Sequence, residues 1–312
     1  MIIDCHVHIA ACTPGHGSMS EKLLKSLPFR FMQRRFGIRG ASEQTERALE
    51  EKLVSTIEHS PIDKAVVLAF DAVYSRDGAV DVANTHLYVT NTYAMELCAR
   101  HPNFLFGASV HPYRRDAVRE LERCAKAGAV LMKWLPIVQC FNPADEKCIP
   151  FYEAVEHHKL PLLAHTGGEQ SLPNLDKSVA DPMLLENALD RGVTVIMAHC
   201  GTRSTFWDVD YLPAFMKLAR EYPNCYGDTA ALCLPTRSYA FKQILADPVV
   251  REKIVHGSDW PILPVPPTFS LGIGASWKMW REMNWVTRDY QIKMKLGFDD
   301  AYWNRAATLL RL

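Results

Sequence analysis

Short apolar runs rich in β-branched residues recur along this sequence and alternate with helix-like stretches. The runs predict strands at residues 2–8, 64–70, 104–110, 129–134, 161–165, 193–198, 224–228 and 253–257. Between them, apolar residues recur at helical spacing in segments such as 45–59, 114–127, 149–158 and 211–222. Strands that alternate with helices pair in parallel through right-handed crossovers, and eight such strands close a barrel. The pattern therefore predicts the α/β class and a (β/α)8 TIM barrel.

An open, doubly wound sheet is the alternative arrangement of the same elements, but the sequence lacks a GxGxxG fingerprint. No shift in composition marks a linker, so we expect one domain over residues 1–312. Two long loops interrupt the regularity, residues 9–44 after the first strand and residues 260–287 after the last. Both leave the carboxyl ends of strands, which form the catalytic face of a barrel. We expect them to act as lids or as contacts between copies in a homo-oligomer.

Charge and cysteine usage restrict the class of protein. The 312 residues include 35 Lys and Arg against 35 Asp and Glu, so nothing favours nucleic acid or an anionic membrane as a partner. No apolar run is long enough to span a bilayer, and the first residues do not resemble a signal peptide. The nine cysteines lack CxxC spacing, which is typical of reduced thiols in a cytoplasmic protein. The expected partner is a small-molecule substrate.

Residues that can bind metal ions stand where the predicted strands end. His6 and His8 are one residue apart, so in an extended strand both imidazoles point to the same side. Four further strand ends carry Lys133, His165, His199 and Asp259. Each histidine alone could equally be a core residue, and Asp259 alone could be a helix cap. A closed barrel turns all these strand ends toward one axis, and the joint set therefore predicts one cavity that holds all six.

The chemistry of these side chains indicates a metal-dependent reaction. Imidazole and carboxylate ligands suit zinc, the expected ion, and also manganese, iron or cobalt. A catalytic ion keeps one position open for water, which then loses a proton near neutral pH. Asp259 has two oxygens, so it could bind the ion and also carry a proton to the leaving group. Gly167 and Gly201 follow two of the histidines and are expected to let substrate approach the backbone.

Four motifs, in order along the chain, resemble the amidohydrolase superfamily. They are Asp4-Cys5-His6-Val7-His8, Leu163-Ala164-His165-Thr166-Gly167-Gly168, Met197-Ala198-His199-Cys200-Gly201 and His256-Gly257-Ser258-Asp259-Trp260-Pro261. The sequence is most similar to the second branch, which contains aminocarboxymuconate-semialdehyde decarboxylase, resorcylate decarboxylases and lactone hydrolases. The resemblance implies a (β/α)8 barrel whose primary metal ion is bound by His6, His8, His165 and Asp259. It also implies that His199 is a catalytic, water-orienting base or a ligand of a second ion.

Lys133 stands where binuclear members of that superfamily carry a lysine that CO2 has carboxylated and that bridges two ions. An ammonium about 5 Å from a divalent ion would be repelled by roughly 6–7 kcal/mol at an effective dielectric constant of about 20. We therefore expect Lys133 to be carboxylated, neutral, turned away, or neutralised by a substrate carboxylate. The carbamate would imply two ions, with His165 and His199 on the second, and the other states imply one.

Two classes of reaction are compatible with such a site. The first is hydrolysis of an amide, lactone or ester by metal-activated water, with Asp259 and His199 as catalytic residues. The alternative is non-oxidative decarboxylation of an aromatic or muconate-like carboxylic acid. A third alternative is a barrel that uses metal for stability alone. Residues expected to contact substrate are Trp134, Trp207 and Trp260 as walls, and Arg203, Arg237 or the loop residues Arg30, Arg34 and Arg35 for a carboxylate.

Overall fold

The eight predicted strands lie in one parallel sheet, in which each strand pairs with the next strand of that sheet along the chain. This computed structural model describes the backbone of residues 1–312 and the side chains of all residues except 268 and 269. The strands are β1 (Ile3–His8), β2 (Gly17–Met19), β3 (Lys64–Leu68), β4 (Leu87–Val89), β5 (Phe104–Ala108), β6 (Leu131–Trp134), β7 (Leu162–His165), β8 (Val195–Ala198), β9 (Cys225–Asp228) and β10 (Ile254–Val255). The short β2 and β4 form a separate antiparallel pair, and the sheet order is β1-β3-β5-β6-β7-β8-β9-β10.

Backbone hydrogen bonds join the segment that follows the last strand of the sheet to the first strand. The Asp259 N–H donates to the His6 carbonyl at 2.9 Å, and the His8 N–H donates to the Trp260 carbonyl at 2.9 Å. These bonds form a seam between the segment after β10 and β1, so the sheet closes on itself. The predicted (β/α)8 barrel is therefore confirmed.

Helices follow the strands and also occupy the two long segments. They are α1 (Glu21–Leu24), α2 (Leu27–Phe36), α3 (Glu43–Glu58), α4 (Asn91–Arg100), α5 (Ala117–Lys126), α6 (Pro136–Gln139), α7 (Ile149–His157), α8 (Glu186–Asp190), α9 (Leu212–Glu221), α10 (Ala240–Ala246), α11 (Pro248–Arg251), α12 (Thr268–Leu271), α13 (Ile273–Trp280), α14 (Trp285–Leu296) and α15 (Asp300–Leu309). The four helices named from apolar spacing correspond to α3, α5, α7 and α9, at nearly the predicted boundaries. Of the helices described, none combines the length and apolar character needed to cross a membrane.

Alternate residues of the strands fill two apolar layers. Inward-pointing residues form a cluster inside the barrel that includes Ile3, Val66, Leu131, Leu163 and Ile196. Outward-pointing residues pack against the helices, as Trp134 does against Phe151 and Tyr152 of α7. A Cβ at Gly107 would lie 2.6 Å from Leu68 Cδ2, so glycine at this position lets that leucine fill the interior.

Leu163 is fully buried in the inner cluster, so shortening its side chain should leave a cavity. We expect Leu163→Ala to lower the free energy of unfolding by about 2–5 kcal/mol. Val82 is 77% exposed, and Val82→Ala is the matched control, with an expected change below about 0.5 kcal/mol. Urea denaturation followed by circular dichroism measures both variants. Equal midpoints for the two would contradict the placement of Leu163 in a packed core.

The two long segments contain helices, which corrects their description as loops. Within residues 9–44, α2 begins where Ser26 Oγ accepts a hydrogen bond from the Phe29 N–H, and it ends at Gly37, whose φ is +71°. Residues 260–287 contain α12, α13 and the start of α14. The rings of Phe36 and Trp260 stack with centroids 5.6 Å apart and planes at 12°. The two segments therefore contact each other at the catalytic face of the barrel.

Candidate metal centre and substrate cavity

Three ligand-type atoms converge at the carboxyl end of β1. The Nε2 atoms of His6 and His8 lie 3.1 Å apart, and Asp259 Oδ1 lies 3.4 Å from the first and 3.3 Å from the second. Ligand atoms about 2.0–2.1 Å from one tetrahedral ion are separated by about 3.3 Å. The donor set therefore fits a divalent ion. A second group, formed by His6, His199 and Asp228, has ligand atoms within 4.8 Å of one another.

Asp228 orients two of the histidines, and the sequence reasoning missed it. The His6 Nδ1–H donates to Asp228 Oδ2 at 2.7 Å, which leaves His6 Nε2 free to bind an ion. The other oxygen, Asp228 Oδ1, accepts from the His199 N–H at 2.7 Å. Burial raises the pKa of Asp228 to about 6. The available signal was its position as the last residue of the predicted strand 224–228, equivalent to that of His165 in its own strand.

His199 and His165 complete the histidine cluster. The His199 Nδ1–H donates to the Ala230 carbonyl at 2.8 Å, and His199 Nε2 lies 4.0 Å from Asp259 Oδ2. The ring of His165 packs against that of His199 with centroids 4.8 Å apart, although His165 belongs to neither close group. Both ring nitrogens of His165 are buried without a hydrogen-bond partner among the described side chains and backbone. An unpaired buried imidazole is costly, so this position fits a residue that meets an ion or water.

Burial sets the protonation of this cluster. It lowers the pKa values of His6, His165 and His199 well below that of free imidazole, because water no longer stabilises the charged ring. The nearby Lys133 lowers all three pKa values further, and Arg237 lowers those of His165 and His199. The three imidazoles are therefore neutral near pH 7, which is the form that binds metal ions.

Lys133 lies inside the histidine cluster. Its Nζ is 3.0 Å from His6 Nε2, and only 1% of the residue is exposed. Burial lowers the pKa of Lys133 to about 8. The side chain is not turned away from the cluster, which excludes one of the four states expected for Lys133. The carboxylated, neutral and substrate-paired states remain predictions.

A cavity of about 310 Å³ opens beside these residues. Its polar lining includes His8, His165, His199 and Asp259, and most of its other lining residues are apolar. A cavity of this size can enclose a small molecule. The candidate metal centre therefore borders the candidate substrate site.

Two charged side chains from loops face the same cavity. Arg237 is 3% exposed, and its Nη2–H donates to the Gly168 carbonyl at 2.6 Å. Glu169 Oε2 lies 3.8 Å from His165 Nδ1, and burial raises the pKa of Glu169. The guanidinium offers a planar set of donors that matches a carboxylate. Sequence reasoning named Arg237 as one of several arginines and missed Glu169, because strand periodicity does not fix the course of a loop.

Trp134 does not line the cavity, which corrects one of the predicted substrate contacts. Neighbouring residues of a strand point to opposite faces, and Lys133 takes the inner face of β6. Trp134 therefore points outward and packs against Phe141 and Phe151. Its Nε1–H donates to the Val110 carbonyl at 2.7 Å, so the indole is fully satisfied in the outer layer.

Trp207 and Arg203 also lie outside the cavity, whereas Trp260 lines it. Trp207 is 94% exposed, because hydrogen bonds from Ser204 and Thr205 to Asp208 form a turn that leaves the indole in solvent. Arg203 places its guanidinium over an aromatic ring, 4.9 Å from the centroid of the Tyr239 side chain. The predictions of substrate contact for Trp207 and Arg203 are therefore wrong.

Gly167 and Gly201 serve the packing of loops rather than the approach of substrate. Both have positive φ, +79° and +69°. A Cβ at Gly167 would lie 2.3 Å from the Thr202 carbonyl oxygen, and one at Gly201 would lie 2.9 Å from the Tyr211 carbonyl oxygen. The glycines therefore let the loops after β7 and β8 pack closely, which corrects their predicted role.

Three non-glycine residues at the candidate centre have a strained backbone. His199, Cys200 and Asp259 have φ values of +60°, +53° and +63°. Such a conformation costs a non-glycine residue roughly 1–3 kcal/mol and persists where surrounding contacts enforce it. The backbone hydrogen bonds of His199 to Asp228 and of Asp259 to His6 supply those contacts. His199 and Asp259 are thus held with their side chains in the cluster.

Comparison with known proteins supports this description of the fold. Solved structures match the chain over nearly its full length at low sequence identity. An uncharacterized TIM-barrel protein from Bordetella bronchiseptica is 16% identical, with 99% of this chain and 98% of that chain covered and a TM-score of 0.67. A probable 2-pyrone-4,6-dicarboxylic acid hydrolase from Acinetobacter baumannii, solved with citric acid, is 14% identical, with 100% and 99% covered and a TM-score of 0.57.

A third structure is 5-carboxyvanillate decarboxylase from Novosphingobium aromaticivorans, solved with bound manganese and a nitrobenzoic acid. It is 14% identical, with 100% of this chain and 97% of that chain covered and a TM-score of 0.53. No curated protein matches the sequence. The sequence profile of the Amidohydro_2 family, described as amidohydrolase, matches residues 3–277, a span that includes every candidate ligand from His6 to Asp259. The chain belongs to the amidohydrolase family.

Proposed function

We propose that this protein is a metal-dependent hydrolase that cleaves an amide, lactone or ester bond in a small substrate bearing a carboxylate. The observation that carries the proposal is the convergence of His6, His8 and Asp259 beside a cavity whose lining includes His8, Asp259 and Arg237. A divalent ion held there would polarise the scissile carbonyl and make a water molecule more acidic. Membership of the amidohydrolase family supports metal dependence.

We assign the proton transfer in this reaction to Asp259. Its Oδ1 faces the two histidines of β1, and its Oδ2 faces His199 Nε2 at 4.0 Å. The carboxylate can accept a proton from the attacking water and donate it to the leaving group. His199 is held by its hydrogen bond to the Ala230 carbonyl, so its Nε2 can orient that water.

The position of Arg237 is the reason for proposing that the substrate bears a carboxylate. Its guanidinium is buried among mainly apolar lining residues, where water screens its charge weakly. An arginine can make two parallel hydrogen bonds to one carboxylate, which fixes the orientation of the bound molecule. The substrate carbonyl would then be presented to the histidine cluster in one direction.

The proposal includes zinc as the bound ion, because imidazole and carboxylate ligands suit it. Manganese is the first alternative, since a structure with the same fold contains it, and iron and cobalt accept the same ligands. Lys133 Nζ lies 3.0 Å from His6 Nε2, in the cluster that also contains His165 and His199. This arrangement supports a second ion, with His165 and His199 as its ligands and a carboxylated Lys133 as the bridge.

A decarboxylase is the alternative function, and Glu169 is the observation that favours it. Its carboxyl group lies in the cavity 3.8 Å from His165, and burial raises its pKa, which favours the protonated form. A carboxyl group in that place could protonate the substrate carbon that loses CO2. The structures with the same fold include both a probable pyrone hydrolase and a decarboxylase, so the fold is compatible with either reaction.

Product analysis distinguishes the two reactions. We expect the metal-loaded protein to release one proton for each carboxylated lactone or ester that it cleaves, followed with a pH indicator, and to release no CO2. Hydroxybenzoates are incubated in parallel, with CO2 measured by a coupled assay. CO2 release from these acids without hydrolysis of the lactones would replace the proposal by its alternative. Turnover of neither panel would contradict the cleavage of lactones and esters as well as the decarboxylase.

A further inference from the structure

We infer that the substrate carries a long apolar group in addition to its carboxylate, and that the inserted helices α1 and α2 form the compartment that holds this group. The apolar roof is defined here as Leu23 of α1 and Phe29, Phe31 and Met32 of α2, all of which line the cavity. The inference deepens the proposed function, on which it relies for the position of the carboxylate.

The charged and the apolar residues that line the cavity come from different parts of the fold. Its charged and imidazole side chains come from strand ends and the loops that directly follow them, as with His165, Arg237 and Asp259. The inserted helices contribute apolar side chains. Although α2 carries Arg30, Arg34 and Arg35, none of these is among the described lining residues, which corrects their candidacy as carboxylate ligands. The helix therefore directs its apolar face to the cavity.

The rest of the cavity lining is also mainly apolar. It includes Leu49, Phe70, Leu135, Leu172, Ile262 and Leu263. A small molecule with polar groups on every side would leave these side chains in contact with water. A molecule with an anionic end and an apolar end would bury them and still meet Arg237. The distribution of side chains therefore matches an amphiphilic acid better than a small dicarboxylate.

The roof is incompletely covered by the protein itself. Phe31 lines the cavity and is still 53% exposed, and Met32 is half-buried. Apolar side chains that border a cavity gain free energy when a ligand excludes water from them. An alkyl or aryl group packed against the roof would cover both residues.

The position of the roof is fixed by contacts at the end of α2. Phe36 stacks on Trp260 and also lies 5.4 Å, centroid to centroid, from the ring of Trp285. The Arg35 Nη2–H donates to Met283 Sδ at 3.5 Å. Because these partners belong to the segment after β10, the compartment exists before a ligand binds. A preformed compartment needs little reordering on binding.

Binding of 4-alkylbenzoates to the metal-loaded protein tests this inference. Benzoate and its 4-ethyl, 4-butyl and 4-hexyl derivatives lack a hydrolysable bond, so calorimetry measures their binding independently of turnover. We expect the Kd to fall by about fourfold for each methylene buried. The heat-capacity change should become more negative as the chain lengthens. Equal Kd values across the series would overturn the inference.

Matched variants locate the effect. In the double variant Phe31→Gln, Met32→Gln, the gain in affinity from 4-ethylbenzoate to 4-hexylbenzoate should shrink by at least about tenfold. Benzoate itself should bind with unchanged Kd. Leu27→Gln is the control, because Leu27 lies on the same helix, is 79% exposed and does not line the described cavity. An unchanged gain in the double variant, or an equal loss in the control, would contradict the assignment of the roof.

The two proposals fail in distinguishable ways. A protein that shows the chain-length effect but hydrolyses no amide, lactone or ester contradicts the proposed function and supports the compartment. A protein that hydrolyses small carboxylated lactones and shows no chain-length effect contradicts the compartment alone. Arg237→Met should weaken binding of every benzoate in the series while keeping the relative gain per methylene; a loss of that gain would contradict the separation of the two ends.

Discussion

Asp259→Asn is expected to lower kcat by about 10²–10⁴-fold while leaving a folded protein. The amide cannot accept the proton that the carboxylate is proposed to carry, and it lacks the charge that attracts a divalent ion. The structural basis is the position of Asp259, whose two oxygens face the β1 histidines and His199. Steady-state kinetics on the substrate found by product analysis, together with circular dichroism and metal content, measure the effect.

Asp300→Asn is the matched control for this substitution. Asp300 is exposed in the first turn of α15 and does not belong to the histidine cluster. We expect the Asp300→Asn variant to have the same kcat as the wild type. If Asp259→Asn kept more than roughly a tenth of the wild-type kcat, Asp259 would not be the proton carrier. A variant that keeps the ion but loses turnover would separate proton transfer from metal binding.

Removal of metal by chelation is expected to abolish turnover and to lower the Tm, and both should return when zinc or manganese is added. An ion present at about 1,000 times its Kd stabilises the folded state by about 4 kcal/mol, because it binds the folded chain and not the unfolded one. Differential scanning fluorimetry measures the Tm. Elemental analysis measures the metal content, for which we expect at least one ion per chain.

Two histidines provide the comparison for the metal experiment. His6→Ala should lose the metal-dependent rise in Tm, whereas His157→Ala, at the exposed end of α7, should keep it. A wild type that binds no ion, or a His6→Ala variant with unchanged metal content, would contradict the centre. The number of ions also tests the carbamate: two ions in the wild type and fewer in Lys133→Met support a bridging Lys133, and one ion in both excludes it.

The barrel could be predicted from the sequence because each element carries its own signal. Apolar runs and helical spacing are local, and eight of them in alternation restrict the topology to a closed barrel or an open sheet. The same reasoning placed ligand-type residues at strand ends, and the structure brings Lys133, His165 and His199 into one cluster. Strand parity could also have excluded Trp134, because two adjacent residues cannot both face the barrel axis.

The remaining parts of the candidate site depend on tertiary structure. Glu169 and Arg237 lie on loops, and their approach to the cavity follows from packing between segments distant in sequence. The helix α2 was recognisable in principle, since Ser26, Pro28 and Gly37 are ordinary helix-boundary residues. Its run of arginines favoured a charged loop, whereas the structure turns its apolar side chains toward the cavity.

The seam between the segment after β10 and β1 has a consequence for how the protein is made. The Ser258 N–H donates to Asp4 Oδ1 across 254 residues of sequence, beside the proposed ligands. At 5–20 residues per second, a ribosome needs roughly 13–50 s to travel that distance. During this time the nascent polypeptide offers a histidine pair without its carboxylate. Capture of the ion by the complete set of ligands is therefore a late event of biogenesis, after the final strand has left the ribosome.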